Sequence, residues 1–222
     1  MIDLSKYRII DLSRELVPGE LKLDGRYLHG DHQWGRQIEL QEFKAFEARM
    51  HFVQTQAHIG VHTEAPYKYS DTGADLGSVP LESYMGEAVA CNFTDKPAGA
   101  ALMPEDFDGN GAKTGDIILA WGETQDDVEK WPHLSEEAIE WMISTKIKLL
   151  AIENISYSAP GTPNGLTYGD AKLILGGVAM VDAIQGLDQI KKPRVFFMGL
   201  PLRIRRLTAF NTRAVALEEI DD

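Results

Sequence analysis

Short apolar runs, each of strand length and each closed by polar or turn-forming residues, recur along most of the chain. Arg8–Ser13, Gln37–Phe46, Arg49–Gln56 and Gly86–Phe93 read as strands on that pattern, and Asp116–Trp121 and Leu149–Glu153 as buried ones. Val178–Val181, Arg194–Met198 and Arg213–Leu217 continue the series. Helical spacing is rarer. Ser135 is placed to cap a helix with Glu136 and Glu137 in its first turn, and Ala138, Ile139, Met142 and Ile143 follow on one face, which predicts an amphipathic helix over Ser135–Lys146. Tyr168–Leu175 reads as a second helix, stopped by Gly176-Gly177. Pro104–Phe107 and Leu187–Lys191 read as helical turns. Many short strands and few helices predict an α/β fold: one domain with a curved, mostly β core and a few peripheral helices, and not a βαβ repeat.

Two stretches break the pattern. Residues 17–36 are rich in Gly, charge and aromatics, with Tyr27, His29, His32 and Trp34 among them, a composition that suits a lid or an interface arm and equally a plain surface excursion. Asn154–Thr167 is a Ser-, Gly- and Pro-rich loop. No repeat, low-complexity tract or flexible linker divides the 222 residues, so one domain over residues 1–222 is the expectation.

Composition narrows the function classes. A net charge of −12 speaks against a nucleic-acid or anionic-membrane partner, which would need a basic face. The single cysteine, Cys91, allows no internal disulfide and no cysteine-based metal cluster; it sits in an apolar run as a buried structural residue would. No apolar run suits a signal core or a membrane span, and a cytoplasmic location is expected. No G-x-S-x-G elbow, Walker loop or G-x-G-x-x-G stretch is present. The one basic cluster, Arg203-Ile204-Arg205-Arg206, suits a solvated or ion-paired face better than an anion site.

The chemistry concentrates in His58-Ile-Gly-Val-His62-Thr-Glu64-Ala-Pro-Tyr-Lys68. Gly60 and Pro66 argue against a helix there. In an extended segment His58, His62, Glu64 and Lys68 fall on one face by alternation. A flat strand would hold the two histidine Cα atoms roughly 13 Å apart at about 3.3 Å per residue. Two imidazoles could barely close on one ion across that gap through bonds of about 2.0–2.1 Å. The chain must therefore curl between them, and Gly60 is the residue that allows it. Imidazole plus carboxylate suits a first-row divalent ion.

The same run resembles the signature H-x-G-T-H-x-D-x-P-x-H of the cyclase-like metal-dependent hydrolases, the family that includes bacterial kynurenine formamidase and isatin hydrolase. The likeness extends along nearly the whole chain, through Ile9–Ser13, Leu134–Trp141, Leu149–Ser156 and Gly199–Ile204. It implies a cyclase-like swivelling β/α fold and a homodimer or homotetramer in which the N-terminal arm helps close the pocket, with Tyr27 and Trp34 lining it. It also implies a divalent ion, zinc or manganese, held by His58, His62 and Glu64, the last standing where many members have Asp. Three positions depart from the pattern. Lys68 replaces the closing histidine, and Asp170 and Asp182, twelve residues apart, stand where the family has a His and a Glu. A two-metal site is therefore not expected, and Lys68 reads as a compact cation standing in for a second ion. Desolvated, it could instead have a lowered pKa and act as a base.

The expected function is hydrolysis of a small amide or lactam by one divalent ion that generates hydroxide and polarises the carbonyl, with Asp170 or Asp182 near the reacting water. Lys68, Asp170 and Asp182 are the candidate catalytic residues. The alternatives are a lyase, dehydratase or cyclase that uses Lys68 and the acids, or a binding protein that has lost the metal.

Overall fold

Alternation along the central strands builds two apolar layers. The computed structural model describes residues 3–18, 22–23, 26–27, 38–125, 127–162 and 167–221. Its strands are β1 (Tyr7–Asp11), β2 (Lys22–Leu23), β3 (Arg26–Tyr27), β4 (Ile38–Ala45), β5 (Ala48–Thr55), β6 (His62–Glu64) and β7 (Met85–Asn92). They continue as β8 (Ala101–Leu102), β9 (Ile117–Trp121), β10 (His133–Leu134), β11 (Leu149–Glu153), β12 (Ala179–Asp182), β13 (Arg194–Pro201) and β14 (Ala209–Glu219). Helices α1 (Pro104–Gly109), α2 (Glu136–Thr145) and α3 (Thr167–Leu175) complete the set.

The main sheet has the order β1-β14-β13-β7-β9-β11-β12-β6, and β6 pairs again with β14. Seven strands thus close into a ring, with β1 added along the far half of β14. Inside the ring lie Ile117, Leu119, Leu149, Ala151, Val181, Phe197 and Ala216. The intervening residues Ile118, Ala120, Leu150, Ile152 and Met180 point outward onto Phe107 of α1, Ile139 and Met142 of α2, and Leu173 and Ile174 of α3. Each fully buried side chain of this kind contributes about 1.5–3 kcal/mol. Strands β9 and β11 are buried on both faces, which is why they read as unbroken apolar runs.

The mostly β core with few helices is as the sequence predicts, but the exclusion of a βαβ repeat is not. Strands β7, β9, β11 and β12 are parallel neighbours, with α1, α2 and α3 in the successive connections. The helices are too short for their role as crossovers to show locally: six, ten and nine residues. α2 keeps the expected caps, with Ser135 Oγ accepting from the Ala138 amide at 3.0 Å and Lys146 in the left-handed region.

Strands β4 and β5 form an eight-pair hairpin set apart from the ring. Trp34 and most of the 17–36 segment lie outside the described residues, and of Tyr27 only the backbone, paired with Lys22, is described. The Arg203–Arg206 cluster forms the turn between β13 and β14 rather than a strand face, with the Arg206 amide donating to Asp75 at 2.6 Å. No helix among the described residues is long and apolar enough to cross a membrane.

Candidate metal centre

The curl expected at Gly60 is present. Gly60 adopts φ +58°, and a Cβ there would lie 2.7 Å from Leu16 Cδ2, so both conformation and space select glycine. The chain then enters β6, whose register sets His62 opposite Asp182 of β12 on one side and Asn211 of β14 on the other. Only His62–Glu64 is strand. Lys68 returns to the site from the 3₁₀ turn Pro66–Lys68, not from a continued extended segment, because Pro66 ends the ladder.

Three donor atoms converge. His58 Nδ1 lies 3.2 Å from His62 Nε2 and 3.0 Å from Glu64 Oε1, and His62 Nε2 lies 3.3 Å from the same oxygen. Ligands about 2.0–2.1 Å from a tetrahedral ion stand about 3.3 Å from one another, so the three separations fit one small divalent ion. His62 Nδ1–H donates to the Gly60 carbonyl at 2.8 Å, which fixes the ring and turns Nε2 toward the other donors. His62 and Glu64 are buried, and His58 is mostly so. The described residues therefore could hold a metal at His58, His62 and Glu64.

Around the triad lies a network of acids and one amine. Lys68 Nζ donates to both Glu64 oxygens at 2.8 Å and to Asp170 Oδ2 at 3.1 Å. Tyr69 Oη donates to the same Asp170 oxygen. Asp182 Oδ2 is 3.9 Å from His62 Nε2, and its Oδ1 accepts from the buried Tyr157 hydroxyl at 3.1 Å.

The electrostatics follow from these contacts. Burial alone would push the Glu64 carboxyl up, but the His58 and His62 hydrogen bonds and the Lys68 charge outweigh it and hold it well below the carboxylate range. Burial would lower Lys68, yet Glu64 and Asp170 raise it instead. The carboxylates against its amine favour the charged form of Lys68, opposite in direction to the lowered pKa that a base role needs. Burial raises Asp170, opposed by Lys68 and Tyr69. Burial lowers His58, whereas at His62 the Glu64 and Asp182 charges overcome burial and raise it.

Sequence reasoning brought His58, His62, Glu64, Lys68, Asp170 and Asp182 to one place and missed Tyr69 and Tyr157. The only sequence signal for Tyr69 was its position beside Lys68. Tyr157, in an irregular loop, had none. Of the other histidines, His51 lies on the hairpin 3.7 Å from Glu42, and His133 on β10 has a buried Nδ1 with no hydrogen-bond partner among the described residues. Cys91 is buried as expected, and burial pushes its thiol up to about 12.

Compared with known proteins, the Cyclase family model matches residues 10–159, well over half the chain. The chain belongs to the Cyclase family. Among the relatives of this cyclase-family chain is the kynurenine formamidase of Erythrobacter litoralis, 25% identical over 224 residues, covering 98% of this chain and 97% of that one. Isatin hydrolase A from Labrenzia aggregata, solved with benzyl benzoate, shares the fold with a TM-score of 0.75 at 19% identity, covering 97% of this chain and 95% of that one. A structure described as a potential metal-dependent hydrolase with cyclase activity aligns with a TM-score of 0.72 at 15% identity, over 97% of this chain and all of the other.

Proposed function

We propose that this cyclase-family chain is a metal-dependent hydrolase that cleaves the C–N bond of a small amide or lactam, using one divalent ion, zinc or manganese. The observation that carries the reading is the convergence of His58 Nδ1, His62 Nε2 and Glu64 Oε1 to within 3.0–3.3 Å of one another. The activities named for the formamidase and isatin hydrolase relatives supply the substrate class. When bound, the ion lowers the pKa of a water molecule and polarises a carbonyl.

The chain's own residues do the rest. His58 and His62 present oriented ring nitrogens from the curl and the strand. Glu64 offers Oε1 to the triad while Lys68 holds both of its oxygens. Asp182, with Oδ1 held by Tyr157 and Oδ2 toward the triad, is the acid placed to take a proton from the attacking water and return it to the leaving nitrogen. The ion pairs on Lys68 count against the elimination reading, which needs a neutral amine.

Turnover of formyl-anilides and lactams by protein purified without chelator tests the proposal. Activity is expected to be lost in His62→Ala and on dialysis against chelator, and to return when metal is added back. Turnover that survives both would contradict it. Because both imidazoles must be neutral to donate, and His62 is raised above the ordinary histidine value by Glu64 and Asp182, metal retention is expected to fall as the solution is acidified, with His62 the first of the two to protonate.

We further propose that the enzyme works as a homo-oligomer joined through the β4–β5 hairpin. A lone two-stranded ribbon is marginal in water, and this one exposes Leu40, Phe46, Met50, Phe52 and Val53. Its charges have both signs, Glu39, Glu42 and Glu47 against Lys44 and Arg49, which suits a two-fold contact with an identical ribbon.

A further inference from the structure

The acids around the triad outnumber what one lysine can balance. Among the described residues, Glu64, Asp170 and Asp182 bring three carboxylates to one mostly buried place, with side chains 1%, 8% and 17% exposed. Lys68 is the ammonium seated among them, on both Glu64 oxygens and on Asp170. With the imidazoles neutral, the group carries a net charge of about −2. Desolvated charge of that size is costly unless compensated. One divalent ion at the triad brings the sum to zero, and a second would leave the cluster at about +2, which is as costly as the original deficit.

The amine also occupies the carboxylate oxygens that lie beside the triad. It takes Glu64 Oε2, the oxygen turned from the triad, and Asp170 Oδ2, which Tyr69 steadies from the other side. We propose that Lys68 is a resident cation that sets the metal stoichiometry of the site at one: it bridges Glu64 and Asp170 where a second ion would otherwise bridge them. This rests on the metal-binding reading above. It assigns Lys68 a positioning role, distinct from that of a ligand or a base.

Equilibrium dialysis against zinc and against manganese, with elemental analysis of the protein, tests it without reference to turnover. Wild type is expected to hold one ion per chain at saturation. Lys68→His, which removes the fixed charge and offers a ring nitrogen beside Glu64 and Asp170, is expected to rise toward two. Lys68→Arg, which keeps the charge, is expected to stay at one. If Lys68→His does not fold by circular dichroism, Lys68→Gln carries the same expectation, since its amide oxygen can also donate to an ion. Two ions in wild type, or one in the folded neutral variants, would overturn the proposal while leaving the metal reading intact. No ion in wild type would overturn the metal reading and this inference with it.

Discussion

Asp182 and Asp170 were equivalent in sequence, two acids at unfamiliar positions, and the structure separates them by their partners. Asp170 is tied to Lys68 and Tyr69, whereas Asp182 has an oxygen toward His62. Asp182→Asn is therefore expected to lower kcat by 10²–10⁴ while metal content stays unchanged; loss of the ion together with activity would show that Asp182 is needed for binding instead. Far from the site, Glu218 is nearly buried and accepts from the Lys191 and Lys192 amides and from Arg8. Burial would raise its pKa, but these donors lower it, so its contribution is present above the ordinary glutamate value of about 4.5 and is lost as pH falls through the lower folded value. Glu218→Gln should cost roughly 1–3 kcal/mol near neutrality, and thermal melts should show the gap to wild type closing as pH falls below the ordinary glutamate value. The ligands were legible because all three, His58, His62 and Glu64, fall at even-numbered positions within seven residues. Tyr157 was not, because its contact joins an irregular loop to Asp182 at the end of β12, 25 residues on.

Most strands and both longer helices were readable from periodicity, to within a few residues at each end. Their pairing was not. Nothing local in β7, β9, β11 and β12 distinguishes parallel neighbours from hairpin partners, and short crossovers such as α1 look like turns. α3 shows how tightly such an element can be seated. A Cβ on Gly169 would fall 1.9 Å from the Tyr157 carbonyl oxygen, and the Gly169 amide donates to Ser158 Oγ. Gly169→Ala must push α3 from the Tyr157 loop, separating Asp170 from Lys68 and Tyr157 from Asp182. Lower thermal stability, by about 1–3 kcal/mol, and weaker metal binding are expected together; an unchanged melt would mean that α3 packs otherwise. For the β4–β5 hairpin, Phe52→Asp, which removes an exposed ring that stacks on Phe43 of the same ribbon, is expected to reduce the mass measured by light scattering toward that of one chain. An unchanged mass would place the contact elsewhere.

Ring closure is what brings the site together. β6 contributes only three residues, yet by pairing with both β12 and β14 it shuts the barrel and sets His62 and Glu64 in the seam. Lys68 and Asp170 approach from a turn and a helix that the closed ring holds in place. Sequence could identify the participants and, through the family likeness, the architecture, whereas the direction of Lys68 depended on packing more than a hundred residues away. The account as a whole requires one divalent ion in that seam. Crystals grown with zinc or manganese, measured at the absorption edge of the metal, test this most directly. The predicted result is a single anomalous peak within bonding distance of His58 Nδ1, His62 Nε2 and Glu64 Oε1, with the Lys68 amine still on Glu64 and Asp170. An empty triad under saturating metal, or a peak coordinated elsewhere, would contradict it.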